Sequence, residues 1–268
     1  MTLTLGHGPL STSPPAEANY TIDGPKHRLL QTPFPRRVHA EFAGATVFDT
    51  IEGALLHESN MLAKLYVPQS DVDMSLLEGT DTTTHCPFKG DAAYWSVHVG
   101  DRVAEDAVWA YPHPIDAAPW LEGRMSFYWD RLDHWYDEDE EVFTHLRDPF
   151  SRVDVRPSSR AVTVRVGGIV VAETTRAMVL SENSLPNRWY LPVEDLRTEL
   201  FKASSTVTHC PYKGFADYLS FVGDGDAAEV ADVAWSYAEP YDGVQRIAGY
   251  RCFDGDADGV SVDVDDPT

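Results

Sequence analysis

Short runs in which apolar and polar residues alternate recur along the chain. Residues 38–42 and 45–49 alternate on either side of a glycine, and residues 161–166 alternate before a glycine pair that the apolar run 169–172 follows. Alternation with a period of two is typical of strands that bury one face, and glycine between two such runs favours a hairpin. The chain is therefore predicted to be mainly β, and α+β at most. Similar patterns predict further strands at 53–57, 63–67, 93–99 and 121–128.

Two segments predict a short helix instead. Residues 71–77 begin with Asp71, a residue type that caps helix N-termini, and continue into apolar positions. A related stretch follows at 193–200. We expect one short helix in each of these places, with Asp71 as the N-cap of the first.

A much longer pattern also repeats. The stretch from Thr84 to Tyr94 reads THCPFKGDAAY and returns from Thr208 to Tyr218 as THCPYKGFADY, 124 residues later. The chain has three cysteines and five lysines, yet each copy takes one of each. The repeating unit of roughly 95 residues is too long for a solenoid repeat and indicates tandem domains. We expect two homologous antiparallel β domains related by a pseudo-two-fold axis, as an intramolecular pseudo-dimer in a monomeric chain.

The alignment of the two copies predicts the domain boundaries. It gives a first unit at 36–130 and a second at 156–253. Residues 1–35 hold six prolines and are predicted to form an extended arm, and residues 131–155 contain a run of five acids that suggests an acidic linker. Residues 254–268 carry six aspartates and no base, which favours a disordered tail.

The charge composition disfavours some classes of binding partner. The chain has 43 acidic and 21 basic residues and a net charge of −22, which disfavours nucleic acid and anionic membranes as partners. No run of about 18 apolar residues predicts a membrane-spanning helix, and the first residues show no secretory signal pattern. Three cysteines favour reduced thiols in the cytoplasm over a disulfide framework.

The order of several short motifs resembles a known family. Each copy has a glutamate at a strand end, then Tyr-x-Pro-x-x-Asp, then Cys-Pro-x-Lys-Gly, then Trp-x-Tyr-x-x-Pro. Four elements in this order resemble the DUF427 family of uncharacterised proteins, over roughly 37–130 and 160–253. The resemblance implies a compact, mainly β domain. A nucleotidyltransferase assignment attached to the family is not justified by the resemblance alone.

The Cys-Pro-x-Lys-Gly motif carries the candidate chemistry. A thiol beside a cation can act as a nucleophile, with lysine stabilising charge and a glutamate carrying the proton. This hypothesis assigns catalytic roles to Cys86, Lys89 and Glu58 and, in the second copy, to Cys210, Lys213 and Glu182. Cysteine is also a common small buried residue, and a Pro-x-Lys-Gly sequence is an ordinary turn. For the glutamate we favour the alternative of a surface or strand-end residue paired with arginine.

Repeated aromatic residues suggest the walls of a pocket. Large aromatics form β-domain cores, and they also line ligand pockets. The candidate ligand-binding residues are Tyr94, Trp109 and Tyr111 in the first copy and Tyr218, Trp235 and Tyr237 in the second. Trp109 and Tyr111 are two apart and so predicted on one strand face, with Asp106 on the other. We therefore hypothesise one small-molecule pocket per repeat, and a purely structural, non-catalytic protein is the alternative.

Three further expectations limit the chemistry. The adjacent residues His85 and Cys86 point to opposite faces of an extended strand, so His85 is a poor base for the thiol. Metal sites usually use paired ligands, and no Cys-x-x-Cys is present, so no metal site and no identifiable cofactor is predicted. Nucleotidyl transfer, a third alternative, would need paired carboxylates for Mg²⁺. Asp71 and Asp73 offer that spacing in the first unit, whereas the second unit has only Asp195 with Arg197 at the matching positions. The pairs Asp256/Asp258 and Asp263/Asp265 lie in the tail.

Overall fold

A computed structural model describes residues 3–6, 8–13, 19, 23–183, 185–223 and 229–265. Its contacts divide the chain into a first domain that ends at Phe150 and a second that begins at Ser151. Both are built from antiparallel strands and short 3₁₀ turns, so the predicted mainly β class is confirmed.

The first domain contains a large and a small sheet. The large sheet has seven strands in the order β1-β4-β5-β9-β8-β7-β6, and the small sheet has four in the order β11-β10-β2-β3. All recorded pairs are antiparallel. The strands are β1 (Leu29–Pro33), β2 (Val38–Phe42), β3 (Ala45–Thr50), β4 (Ala54–Glu58), β5 (Lys64–Pro68), β6 (Leu77–Cys86), β7 (Gly90–Val99), β8 (Arg102–Pro114), β9 (Arg124–Phe127), β10 (His134–Asp137) and β11 (Glu140–Glu141).

The second domain repeats this topology. Its large sheet has the order β12-β15-β16-β20-β19-β18-β17, which is the first order strand for strand, and its small sheet has the order β14-β13-β21. The sequence duplication is therefore a duplication of the whole fold. The strands are β12 (Val153–Pro157), β13 (Val162–Val166), β14 (Ile169–Thr174), β15 (Met178–Glu182), β16 (Arg188–Leu191), β17 (Phe201–Cys210), β18 (Gly214–Phe221), β19 (Val230–Ser236), β20 (Arg251–Phe253) and β21 (Val260–Val264).

The two faces of the large sheet pack into different clusters of buried side chains. On β5, Val67 packs into the core between the large and small sheets, and its neighbour Tyr66 belongs to a separate cluster. On β8, Val108 joins that core and Trp109 joins the other cluster. Successive side chains of a strand point to opposite faces, so both faces are buried but with different residues. We call the Tyr/Trp-rich side the aromatic face; it is where the candidate site lies in each domain.

The predicted helix at 71–77 is wrong in detail. Two separate 3₁₀ turns, Gln69–Asp71 and Met74–Leu76, replace it. Asp73 caps the second turn by accepting a hydrogen bond from the Ser75 amide, whereas Asp71 accepts one from the Thr50 hydroxyl. Val72, buried between them, is extended and pairs with Phe48 on β3, and this bridge interrupts any continuous helix. The second domain likewise has turns at Val193–Asp195 and Thr198–Leu200.

The acidic segments are more ordered than their composition suggests. Within the expected disordered tail, β21 pairs with β13, and Val260 and Val262 alternate with polar residues in its sequence. Within the expected linker, β10 pairs with β2, and Trp135 is buried in the first core. The expected arm contributes β1 to the large sheet. In each case a few apolar residues at strand spacing outweigh the surrounding charge.

Parts of these predicted segments lie outside the described residues. In the expected arm these are residues 1, 2, 7, 14–18 and 20–22, and in the expected tail residues 266–268. In the part of the chain that the structure describes, no helix is long and apolar enough to cross a membrane.

Candidate functional site

The Cys-Pro-x-Lys motif forms a tight turn in both domains. The amide of Lys89 donates to the carbonyl of Cys86 at 3.1 Å, and Lys213 and Cys210 make the same bond at the same distance. Proline at the second position favours such a turn because its φ is fixed. The glycine that follows is required by its backbone: Gly90 has a φ of +110°, and a Cβ there would lie 3.2 Å from the His113 carbonyl oxygen. The motif is therefore the predicted turn.

The turn also directs its lysine to the aromatic face. Lys89 Nζ lies 2.6 Å from Glu58 Oε2, and both residues are buried. Lys213 Nζ lies 2.7 Å from Glu182 Oε2 in the second domain. The expectation of a surface glutamate paired with arginine is thus wrong. Glu58 ends β4 beside the aromatic face, where the lysine can reach it.

The ion pair reveals how strongly the large sheet bends. Glu58 ends β4 and Lys89 directly precedes β7, and these two strands lie four positions apart in the sheet. A flat sheet would separate them by about 19 Å, at roughly 4.8 Å per strand. The side chains nevertheless meet at 2.6 Å. The large sheet must therefore curl around its aromatic face, which makes that face concave.

Tyrosines and a tryptophan line this concave face. Trp109 Nε1 donates to the hydroxyl of Tyr66 at 3.2 Å, and Trp235 donates to Tyr190 at the same distance. Burial raises the pKa of the Tyr66 and Tyr190 hydroxyls above their usual value. It also raises the pKa of Tyr111 and Tyr237. These phenols therefore stay protonated at neutral pH and serve as neutral hydrogen-bonding groups.

In the second domain the candidate residues surround a cavity of about 350 Å³. This second-domain cavity is lined by all six residues singled out from the repeat, together with six others. The first six are Glu182, Cys210, Lys213, Tyr218, Trp235 and Tyr237. The others are Leu185, Pro186, Arg188, Tyr190, Asp232 and Asp254.

In the first domain the matching residues are covered. Tyr128 lies over Trp109 with ring centroids 4.6 Å apart, and His27 Nε2 lies 2.8 Å from Glu58 Oε1. Lys89, Glu58 and Trp109 are all less than a tenth exposed, as are the other ligand-binding candidates Tyr94 and Tyr111. The two copies therefore share residues but differ in access.

The three cysteines occupy different environments. Cys86 and Cys210 are partly exposed, and each packs against the aromatic cluster of its domain. Cys252 is fully buried, and burial raises its pKa to about 12. The common role of cysteine as a small buried residue thus fits Cys252 best. His85 turns away from Cys86, as expected, and bonds Asp91 at 2.6 Å on the exposed side of the strand.

The carboxylates considered for Mg²⁺ have structural partners. Asp71 and Asp73 accept the hydrogen bonds of the 3₁₀ segment described above. In the tail, Asp263 pairs with Arg165 across β13 and β21. Among the described residues, no group of three or more His, Cys, Asp or Glu side chains is arranged to hold a metal ion.

Sequence reasoning missed several residues at the site. Tyr66 and Tyr190 could have been found, because the Tyr-x-Pro motif that contains them repeats. Asp232 lines the cavity together with Trp235, although its counterpart Asp106 was expected on the face opposite Trp109. Asp232 has a φ of +51°, which breaks the alternation along β19. His27 carried no signal, because no repeated motif contains it.

The comparisons with known proteins agree with the duplication. No match was found among curated proteins. The family model described as Domain of unknown function (DUF427) matches twice, over residues 30–138 and 154–265. These matches include β10 and β21, which the motif comparison had left outside both units. The chain therefore belongs to the DUF427 family and contains two tandem copies of its domain.

Proposed function

We propose that the second domain binds a small organic molecule in the second-domain cavity. The observation that carries this proposal is the convergence of all six repeat-derived residues on one cavity of about 350 Å³. Ligand pockets of about 300–1,000 Å³ typically combine aromatic walls with a few polar groups. Trp235, Tyr218 and Tyr237 supply such walls, and the Lys213–Glu182 pair supplies the polar groups.

The charges of the lining indicate what the cavity would accept. Three carboxylates, Glu182, Asp232 and Asp254, face two cations, Lys213 and Arg188. Lys213 is already paired with Glu182, so it offers little net charge to an anion. The lining therefore favours a neutral or cationic ligand over a polyphosphate, which argues against nucleotidyl transfer.

Binding is better supported than nucleophilic catalysis. A general base must come within about 2.6–3.2 Å of the group it deprotonates. Glu182 Oε2 is instead engaged by the ammonium of Lys213 at 2.7 Å. If a reaction occurs, Cys210 would be the nucleophile, with Lys213 stabilising charge, and Glu182 would carry the proton only after release from that pair.

The structural alternative is favoured for the first copy alone. Its lysine–glutamate pair is buried with His27 on Glu58, and Tyr128 covers Trp109 on the same face. There the motif connects β4 to the turn before β7 and stabilises the curled sheet. We propose that the first copy is structural and the second binds ligand.

Alkylation of Cys210 by iodoacetamide tests the proposal, because the thiol lines the cavity. Peptide mass spectrometry of the full chain would follow Cys210 and Cys86 together while a library of small aromatic compounds is screened for protection. Compounds that bind should slow alkylation of Cys210 and leave that of Cys86 unchanged. Failure of every compound to protect Cys210 would count against a binding cavity.

A variant that fills the cavity provides the control. Asp254 occupies the position of Tyr128, which covers Trp109 in the first domain. Asp254→Tyr should cover Trp235 in the same way, slow alkylation of Cys210 and abolish protection. Asp258→Tyr, at an exposed position outside the lining, should do neither.

A further inference from the structure

In the first domain, the side chain of His27 occupies the position that corresponds to the proposed binding site of the second domain. The imidazole of His27 stacks on Phe88, with ring centroids 4.2 Å apart and an interplanar angle of 22°. Its Nε2 lies 2.8 Å from Glu58 Oε1, while the other carboxylate oxygen of Glu58 holds Lys89. A flat heterocycle is thus held by one hydrogen bond to a carboxylate and one aromatic stack.

The second domain has the same groups without the imidazole. Glu182 Oε2 holds Lys213 as in the first domain, and no partner of Glu182 Oε1 is recorded among the described residues. An aromatic ring, Tyr212, stands at the position of Phe88. In the first domain, His27 lies two residues before Leu29, which pairs with Glu58. In the second domain, Ser151 lies two residues before Val153, which pairs with Glu182. Ser151 therefore stands at the position of His27.

Serine is too small to replace the ring. The Ser151 hydroxyl is buried and has no hydrogen-bond partner among the described residues. A buried hydroxyl without a hydrogen-bond partner is unfavourable, so the second domain lacks at this position a group that the first domain has. The comparison locates the missing occupant beside Glu182.

We infer that the second-domain cavity binds an aromatic nitrogen heterocycle of the imidazole type. The inference rests on the proposed binding function and specifies its ligand class. A ring N–H of the ligand donates to Glu182 Oε1, as His27 does to Glu58, and the ring lies between the aromatic walls of the cavity, Tyr218 and Trp235. The excess of one carboxylate over cations in the lining also suits a protonated ring.

4-Methylimidazole, which reproduces the histidine side chain, is the direct probe. In ¹H–¹⁵N spectra of the full chain, the indole N–H of Trp235 reports on the second site and that of Trp109 on the first, because each donates to a tyrosine of its aromatic face. The probe should shift the Trp235 resonance in a saturable manner and leave Trp109 unchanged. 4-Methylthiazole has the same shape but no ring N–H, and should bind at least about tenfold more weakly.

Two variants exchange the occupancy of the sites. Ser151→His should supply the occupant in cis and remove the Trp235 response to 4-methylimidazole. His27→Ala should vacate the first site, so that Trp109 also responds and the probe raises the melting temperature of this variant more than that of the wild type. If His27→Ala does not fold, Ser151→His still tests the inference in the second domain.

The outcomes separate this inference from the binding proposal. Equal responses of Trp235 to 4-methylimidazole and 4-methylthiazole would overturn the imidazole-type ligand and leave a binding cavity in place. An undiminished response in Ser151→His would also overturn it. If neither probe shifts Trp235 and no compound protects Cys210, both proposals fall.

Discussion

Glu58→Gln should strongly destabilise the first domain. The substitution keeps the size of the side chain but removes the charge that faces Lys89 at 2.6 Å. The side chains of Lys89 and Glu58 are only 10% and 7% exposed, so the remaining ammonium would stay buried without a counter-charge. Removing one partner of a buried pair typically costs about 3–5 kcal/mol. We expect a loss of that size in the free energy of unfolding of the first domain.

The second domain contains a matched control. Lys213 and Glu182 form the same pair at 2.7 Å and are 13% and 9% exposed, close to the values of the first pair, but they line a cavity. Water in the cavity can solvate the lysine of Glu182→Gln, so that variant should lose only about 1–2 kcal/mol. In the double variant Glu58→Gln/Lys89→Met no buried charge remains, and most of the loss should be recovered.

Hydrogen exchange read by mass spectrometry measures both domains in one chain. Peptides from β7 and β8 report on the first domain and those from β18 and β19 on the second. For amides that exchange by unfolding of the whole domain, Glu58→Gln should accelerate exchange about 10²- to 10⁴-fold in the first domain only. The reasoning would be refuted by a loss below about 1 kcal/mol, or by a double variant no more stable than Glu58→Gln.

Gly90→Ala should lower the urea midpoint of the first domain, because the new Cβ meets the His113 carbonyl oxygen at 3.2 Å at a φ of +110°; an unchanged midpoint would contradict this. The side-chain hydrogen bond from Arg176 lowers the pKa of Asp195 in the folded protein. The stability that this carboxylate contributes is therefore present above its ordinary pKa of 3.8 and disappears as the pH falls through its pKa in the folded protein. Asp195→Asn should therefore be less stable than the wild type at pH 7, with the difference vanishing in strong acid, and a difference that persists there would contradict this assignment. Truncation after Asp258 removes β21, which pairs with β13 and contributes Val260 to the core of the second domain. This truncation should abolish hydrogen-exchange protection in β13. Retained protection would show that β21 is dispensable.

Much of the fold could be predicted because strand patterns are local. The alternation at β2 and β13 indicated hairpins, and both pair with the next strand as expected. The acidic segments around β10 and β21 were misjudged, since their charge concealed a few apolar residues at strand spacing. The helix at 71–77 failed for a nonlocal reason, namely the bridge between Val72 and Phe48 on another strand.

The candidate site could be predicted as a set of residues but not as an arrangement. The repeat alone selected Cys210, Lys213 and Trp235, and these side chains line one cavity. It did not indicate that the lysine pairs with Glu182, because the two are 31 residues apart and meet only through the curl of the sheet.

The sequence by itself determined the duplication, the two-faced strands and the turn that presents the lysine. These features depend on residues close together in the chain, where periodicity, proline and glycine act directly. Only the tertiary structure decided which copy is accessible. His27 and Tyr128 cover the first site, whereas Ser151 and Asp254 stand at these positions in the second. Access depends on which distant side chains meet over the curled sheet, and that is fixed by strand order and packing rather than by any local pattern.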